Sequence, residues 1–395
     1  MASLVGGNCV IVVMFATRHS VLVYMLGIAF DRAILFHRWL GRWNTILVLG
    51  HVIIEAVLHF TVGTGNTDLE NIYGLVSVIA FLLVLIFSLE WFRRAQFELF
   101  LVSHLLVIVF FVLGVLHNNG FLLYTILSAI LIGLDWILRL ALGSVVVPSK
   151  TTLFKKRAEN LVQVRFTKNS PWAKKLYGPG QYVFLNFPAI SHTEWHPFSV
   201  TSSPDDPEIE VNIRALGNWT KKVYQLASAE DCVWVRADGP YGNLNLDYHR
   251  YSNMVLVAGG IGITPVIGIL KEIFAGKKRR SRIQSVVMVW SVPSEIEAGW
   301  FMEELKALYQ ISNSSSIKLE IKVHLSKAKE VPPSPFLNTG RPDIEKYLDG
   351  ATQERTPCFV FVCGPKKLVN SAWDISTKLQ RKGKICHFHH ETFQF

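Results

Sequence analysis

The sequence predicts a multi-domain protein: an α-helical transmembrane bundle, followed by a soluble module of one antiparallel β-barrel and one alternating α/β domain. Three observations predict this. Residues 1–142 contain no lysine and balance seven arginines against seven acidic residues, so the formal charge of +10 of the 395-residue chain falls entirely on residues 143–395. Long apolar stretches are confined to the first part. Short strand-like runs punctuated by glycine and proline are confined to the second. The expected divisions are 1–145, 146–250 and 251–395.

A basic soluble half admits nucleic acid, anionic lipid or a phosphorylated ligand as partner. The one basic run, Lys277–Arg282, has no interleaved aromatics and reads as a solvated loop, which argues against nucleic acid. The five cysteines (Cys9, Cys232, Cys358, Cys363 and Cys386) lack the paired spacing of a zinc or disulfide framework and fit a reducing compartment. The apolar N-terminus lacks a basic n-region and a small-residue cleavage site, so no cleavable signal peptide is expected.

A helix needs about 20 residues to cross a hydrocarbon core of ~30 Å. Four stretches meet that length: Cys9–Phe30, Ile72–Leu89, Leu99–His117 and Phe121–Leu142. A fifth, Phe36–Phe60, is less apolar, with its basic residues in the first two turns. Arg32, Arg38, Arg42, Arg93, Arg94, Arg139 and the basic segment after residue 149 fall on one side. The connections 61–71 and 118–120 carry no basic residue. By the positive-inside rule the soluble half faces the cytosol and the N-terminus lies outside. Five spans beginning outside suggest that a preceding helix is absent, by biology or by truncation. The expected setting is a multi-pass protein in the lipid of the plasma membrane.

Polar groups inside spans are expensive and need a reason. His37 and His51 stand 14 residues apart on the second span, and His104 and His117 stand 13 apart on the fourth. At ~1.5 Å per residue these are offsets of about 21 and 20 Å. Fourteen residues at ~100° return to one helix face. Thirteen return about 140° off, so His117, followed by Asn118-Asn119-Gly120, is expected on an overwound or fraying end. Two helices each offering a histidine at two depths make two axial pairs, His37 with His104 and His51 with His117. Imidazole is an ordinary axial ligand of haem iron, and bis-histidine ligation favours electron transfer. A single such histidine would more often be a polar group bonded to a neighbouring helix, as His19 and His59 are read. Arg18 is expected in the outer half of the first span, either snorkelling or reaching a haem propionate or the acceptor.

In the second part, Gln163–Phe166, Gln181–Phe187, Glu208–Arg214 and Val233–Gly242 read as strands, with a turn at Gly217–Thr220. Strands at this spacing without amphipathic helices suggest a small antiparallel barrel. Met254–Ala258 then runs into G-G-I-G-I-T-P (Gly259–Pro265) and a helix to about Phe274. Glycine at a strand-to-helix turn lets backbone N–H groups approach a pyrophosphate. Strands at Val286–Trp290 and Cys358–Val362, the latter ending in C-G-P (Cys363–Pro365), complete an α/β sheet. Its binding edge is expected at Gly259, Gly260, Gly262, Ile263, Thr264, Pro265, Ser291, Cys363, Gly364 and Pro365.

The histidine spacings, H-P-F-S (His196–Ser199), D-G-P-Y-G (Asp238–Gly242), G-G-I-G-I-T-P, C-G-P and an aromatic C-terminus occur together and in order. In this the chain resembles the ferric reductase and NADPH oxidase superfamily of flavocytochromes b over nearly its whole length. The resemblance implies a ferredoxin-reductase-like module, with a barrel that binds FAD and an α/β domain that binds NADPH. It implies that His196, Pro197, Phe198, Ser199 and Thr201 hold the flavin, with Arg214, Trp219 and Thr220 forming a second flavin segment. It implies that Phe395, or Phe393 in its place, covers the isoalloxazine until nicotinamide displaces it. Cys363 would lie near the nicotinamide, so Cys363 and Phe395 are the expected catalytic positions. Two b-type haems complete the cofactor set.

H-R-W-L-G-R (His37–Arg42) is closer to ferric reductases than to superoxide-producing oxidases. The family commonly has six spans, and the oxidases tend to place an arginine where this chain has Trp290-Ser291-Val292. The implied activity carries electrons from cytosolic NADPH through FAD and two haems to an acceptor on the opposite face, a ferric chelate, with O₂ as the alternative. Ser291, a hydroxyl with no adjacent carboxylate, permits NADPH, and Glu295 keeps NADH open. A non-catalytic haem partner with a degenerate flavin domain is the reading from another class, and the intact motifs argue against it.

Overall fold

The computed structural model describes residues 2–28, 30–63, 68–139, 145–147, 153–167, 178–229, 233–242, 247–275, 281–352 and 356–391. The chain divides into two compact units, Met1–Leu142 and Gly143–Phe395.

The first unit is all helix: α1 (Ala2–Ala16), α2 (Val21–Leu26), α3 (Phe30–Thr61), α4 (Asp68–Ser88), α5 (Glu90–Ala95), α6 (Phe97–His104), α7 (Leu106–His117) and α8 (Leu122–Leu138). Among the described residues, four stretches are long and apolar enough to cross a membrane: Phe30–Thr61, Leu69–Ser88, Phe97–His117 and Asn119–Leu138. Only 11–17 % of each apolar window is buried within the protein, so most of that surface needs lipid as its solvent.

The expected first span, Cys9–Phe30, is corrected. The chain is helical from Ala2 to Ala16, breaks at Thr17–Ser20 and resumes only as the short α2. The polar run Thr17-Arg18-His19-Ser20 causes the break. Thr17 turns its hydroxyl back to the Met14 carbonyl (2.9 Å), and the His19 N–H leaves the helix to donate to Asp135 Oδ1 on α8 (2.8 Å). Asp135, itself buried, also holds Arg139 at 2.5 Å.

α1 packs on α3 and α8, and α4 on α7 and α6. Buried polar groups fix the depth of these contacts: Asn8 Nδ2 donates to the Leu40 carbonyl (3.2 Å), Asn44 Nδ2 to Cys9 Sγ (3.2 Å), and Ser77 Oγ to the Phe110 carbonyl (3.0 Å). Each bond satisfies a group that lipid could not.

The second unit opens with antiparallel strands: β1 (Val145–Val147), β2 (Leu153–Ala158), β3 (Leu161–Thr167), β4 (Tyr182–Asn186), β5 (His196–Ser199), β6 (Glu208–Arg214), helix α9 (Asn218–Ala229) and β7 (Val235–Tyr241). They form a four-stranded sheet in the order β1-β7-β4-β5 and a three-stranded sheet β2-β3-β6, joined by a bridge between Val200 and Val211. Val162, Val164, Phe166, Leu185, Val211 and Ile213 alternate inward to fill the barrel. The expected turn at Gly217–Thr220 is instead the start of α9. Thr220 Oγ1 accepts from the N–H groups of Leu216 and Gly217, both at 2.9 Å, and so caps an amphipathic helix that strand spacing had not suggested.

The remaining elements are β8 (Asn253–Gly259), α10 (Ile263–Phe274), β9 (Ser285–Val292), α11 (Glu295–Gly299), α12 (Met302–Ser312), β10 (Lys318–Leu325), β11 (Leu337–Thr339), α13 (Ile344–Ala351), β12 (Cys358–Cys363), α14 (Lys366–Arg381) and β13 (Cys386–Glu391). All six strands pair in parallel, in the order β11-β10-β9-β8-β12-β13. Strands buried on both faces read as continuous apolar runs, as Val286–Trp290 and Cys358–Val362 do. Trp290, Phe301, Phe359 and Phe361 are fully buried, each contributing ~1.5–3 kcal/mol by burial of its ring. The order reverses direction at β8, and the crevice beyond its carboxyl end is where a ligand is expected in such a sheet.

Candidate functional site

The 32-residue helix α3 carries His37 and His51, and the α6–α7 pair carries His104 and His117. The His37 and His104 ring centroids lie 6.2 Å apart, tilted by 52°. Those of His51 and His117 also lie 6.2 Å apart, tilted by 67°. An imidazole–metal bond of ~2 Å on each side of one iron gives a centroid separation of about 6.3 Å, so both pairs match the span of a bis-histidine haem.

Second contacts orient three of the four rings. His37 Nδ1 meets the Val12 carbonyl at 3.0 Å, His117 Nδ1 the Glu70 carbonyl at 2.8 Å, and His104 Nδ1 the Ser88 hydroxyl at 3.4 Å. An N–H held in this way fixes the tautomer and leaves Nε2 for a metal. His51 and His117 line an apolar cavity with Val5, Val48, Gly74 and Phe110. A side chain at Gly74 would put its Cβ 2.7 Å from His117 Nδ1, so the ring keeps its place only against glycine. The donor set fits haem at both depths, and the apolar cavity around the outer pair suits it.

Arg18, expected in the outer half of the first span, lies in the break just after α1. Along α1, Val5 reaches the His51–His117 cavity and Val12 reaches His37. Arg18 follows the end of the same helix and is buried.

In the barrel, β5 presents His196 and Phe198 to Trp219, the second residue of α9. The His196 and Trp219 rings are 4.2 Å apart, and Phe198 stacks on Trp219 at 6.0 Å and 18°. Trp219 Nε1 and His196 Nε2 are buried without a hydrogen-bond partner. Two orphaned polar atoms beside a pair of aromatic faces suit a planar, hydrogen-bonding ligand such as a flavin. Burial holds His196 below the ordinary histidine range, against the opposing pull of Glu194 at 3.9 Å, so the ring is neutral at pH 7. Pro197 and Ser199 alternate to the other side of the strand. Thr201 is fully buried and accepts from Asn212 Nδ2 at 2.9 Å, which gives its hydroxyl a structural partner within the barrel. Thr220 serves as the cap of α9 described above.

Arg214, the last residue of β6, leans over Trp300 (5.2 Å) and lies 3.8 Å from Glu297. Its Nη1 would be 3.7 Å from a Cβ placed on Gly260. The arginine therefore stands where the barrel meets the glycine turn. Sequence reading missed Glu297, which also accepts from Ser294 Oγ. The signal was its place two residues beyond Glu295 in S-E-I-E.

The glycine turn follows β8 directly. Gly260 has φ +55°, a left-handed conformation that favours glycine, and its carbonyl accepts from Trp290 Nε1 at 2.8 Å. A Cβ on Gly262 would sit 2.3 Å from the Cys363 carbonyl oxygen. The two loops, Gly259–Gly262 and Cys363–Pro365, are thus packed backbone to backbone at the carboxyl ends of β8 and β12. Ile263, Thr264 and Pro265 are buried as α10 begins. Ser291 is the register partner of both Gly259 and His324, which places its hydroxyl along the same edge of the sheet. Glu295 is exposed on α11. Cys363 is fully buried, and burial, with Glu391 adding to it, pushes its thiol well above the ordinary value. It is a neutral thiol. Phe393 and Phe395, the expected flavin covers, lie outside the described residues, as do residues 277–280 of the basic run.

Three family models match in the order these domains occur. Residues 2–115 match the ferric reductase like transmembrane component, 147–245 an FAD-binding domain, and 251–336 the ferric reductase NAD binding domain. Ferric reduction oxidase 8, mitochondrial, of Arabidopsis thaliana is 31 % identical over 344 residues, covering 82 % of this chain and 46 % of the relative. Two heavy chains of superoxide-generating NADPH oxidase from Dictyostelium discoideum also match. One is 28 % identical over 82 % of this chain and 53 % of its own length, and the other is 27 % identical over 100 % and 88 %. The chain spans about half the length of the plant relatives it matches. On these matches, and on domain order and site geometry together, the chain belongs to the ferric reductase and NADPH oxidase superfamily.

Proposed function

We propose that this chain conducts electrons from NADPH across a membrane through FAD and two b-type haems, and delivers them to a ferric chelate. The observation that carries the reading is the pair of histidine pairs, each 6.2 Å apart, at two depths of one helical bundle. A single pair would end the path inside the bilayer. Two pairs spaced by 14 residues of α3 span ~21 Å, most of the hydrocarbon core.

When bound, FAD and haem supply the redox chemistry, turning a two-electron donor into one-electron steps. The protein's residues position these groups. His37 with His104, and His51 with His117, would hold the two haems, and a histidine pair on each would favour electron transfer over binding of an external ligand. His196, Phe198 and Trp219 offer ring faces and hydrogen-bonding nitrogens to the flavin. Arg214 completes the phosphate end of that site, and Pro197 and Ser199 line the opposite side of β5. The Gly259–Gly262 turn and the start of α10 receive the nucleotide pyrophosphate, with Cys363–Pro365 packed against the turn. Ser291 donates to a 2′-phosphate, which favours NADPH. By the positive-inside rule the soluble unit is cytosolic.

A second reading, reduction of O₂ to superoxide, is favoured by the Dictyostelium oxidase heavy chain that matches over 100 % of this chain and 88 % of its own length. One experiment separates the two: purified protein, supplied with NADPH, is assayed for trapped Fe(II) with and without superoxide dismutase. Fe(II) formation unaffected by the dismutase supports ferric reduction. Formation abolished by it assigns the oxidase.

A further inference from the structure

Three of the four paired histidines have a neutral partner at Nδ1: a backbone carbonyl for His37 and for His117, and the Ser88 hydroxyl for His104. His51 differs. Its Nδ1 is buried and has no hydrogen-bond partner. Glu55 Oε1 stands 3.7 Å from it, one turn along α3 on the same helix face. The carboxylate also lines the cavity that His51 shares with His117. A side-chain adjustment of under ~1 Å brings the two atoms to hydrogen-bonding distance.

We propose that Glu55 is a positioning residue for the outer axial histidine, accepting the His51 Nδ1–H and making the outer haem site electronically unlike the inner one. This rests on reading the pairs as haem ligands. A carboxylate draws the Nδ1 proton toward itself and pushes electron density onto Nε2, so the ligand becomes more basic and favours the oxidised iron. A carbonyl or hydroxyl does so less, because it carries no full charge. The outer site is thereby biased toward giving up its electron at the face where the acceptor binds. The inner pair has no such carboxylate among its described Nδ1 partners. H-x-x-x-E at His51–Glu55 is the sequence trace of this arrangement.

The test is a spectroelectrochemical titration of the haem-loaded full chain, wild type against Glu55→Gln, with His51→Ala used to identify the outer component. The glutamine keeps an acceptor oxygen and removes the charge. The expected result is an unchanged haem-to-protein ratio and an upward shift of the outer midpoint potential alone. Glu55→Ala should shift it at least as far. Unmoved potentials, equal shifts of both components, or loss of the outer haem in Glu55→Gln would each overturn the proposal. A wild-type ratio other than two haems per chain would instead overturn the ligand reading beneath it, a result distinct from unmoved potentials in a two-haem protein.

Discussion

Glu210 is the most heavily used carboxylate of the soluble unit, and replacing it with glutamine should lower that unit's melting temperature. It lies on β6 and is 4 % exposed. Arg165 on β3 binds it through two nitrogens, at 2.8 and 2.9 Å, and Asn212 donates at 3.1 Å. Arg157 on β2 and Lys271 on α10 approach to 3.7 and 3.8 Å. Arg157 in turn donates to the Trp300 carbonyl at 2.8 Å and pairs with Glu304, so the carboxylate ties the barrel to the α/β domain. Removing one partner of a buried ion pair costs about 3–5 kcal/mol, because the charges left behind stay desolvated. Arg165 is 36 % exposed and recovers part of its hydration, which puts the cost at roughly 2–3 kcal/mol. For a unit of this size each kcal/mol shifts Tm by about 2–4 °C, so the expected loss is on the order of 4–12 °C. Burial pushes the Glu210 carboxyl up, but Lys271, Arg165, Asn212 and Arg157 together hold it below its usual range. With the folded value depressed, the stabilisation is complete above the unfolded carboxylate pKa of ~4.3 and is lost as pH falls through the folded value. The gap between wild type and Glu210→Gln should therefore be constant from neutral pH down to about 5 and close in more acidic buffer. Flavin fluorescence released on heating the detergent-solubilised full chain reports the transition. A glutamine variant that melts with wild type at pH 7 would refute the argument.

Three further outcomes follow from the sites. His51→Ala or His117→Ala should leave one haem per chain by pyridine haemochrome assay and stop transmembrane transfer, while reduction of the flavin by NADPH survives. Gly262→Ala puts a Cβ 2.3 Å from the rigid Cys363 carbonyl, and forced overpacking of this kind costs about 1–3 kcal/mol, so KM for NADPH should rise while flavin content stays at wild-type level. Ser291→Asp should lower kcat/KM for NADPH far more than for NADH, since a carboxylate repels the 2′-phosphate. Equal efficiencies for the two nucleotides in wild type would remove that role and turn attention to Glu295.

The sequence was most legible where physics is local. Lipid-length apolar runs give α3, α4 and α8, and buried parallel strands give the continuous runs of β9 and β12. Glycines at a strand-to-helix turn mark the loop after β8. What a run of residues could not show was partner choice across the fold. Thr17–Ser20 read as part of an apolar stretch because Asp135, the acceptor that pulls His19 out of the helix, lies 116 residues away. Gly217–Thr220 read as a turn because glycine and asparagine precede a helix as readily as they make a turn, and the Thr220 cap decides between them. Glu210 and Glu297 carried no motif. Their importance comes from arginines on other elements.

The 13-residue histidine spacing shows how a local irregularity serves a distant geometry. An unbroken α-helix would leave His117 about 140° away from the face of His104. The expectation that His117 lies at a fraying end is met only in part: it is the last residue of α7, with Asn118 extended beyond it. A second adjustment sits at the other histidine. Just after His104 the helix is interrupted at Leu105, whose N–H donates to the Val102 carbonyl at 3.1 Å, while the Ile108 N–H donates to the Leu105 carbonyl at 2.9 Å. Bonds from i to i+3 wind the chain at about 3.0 residues per turn, or ~120° per residue, and so advance the phase of everything downstream. α3 needs no such device, because its spacing of 14 already closes four turns. One such turn supplies about 60° of the ~140°, so the overwinding accounts for part of the phase, and both histidine pairs stand at the same centroid separation of 6.2 Å. One residue inserted between His104 and His117, raising their spacing from 13 to 14, would lengthen the offset without removing the overwinding. It should break the outer pair and leave the inner pair intact.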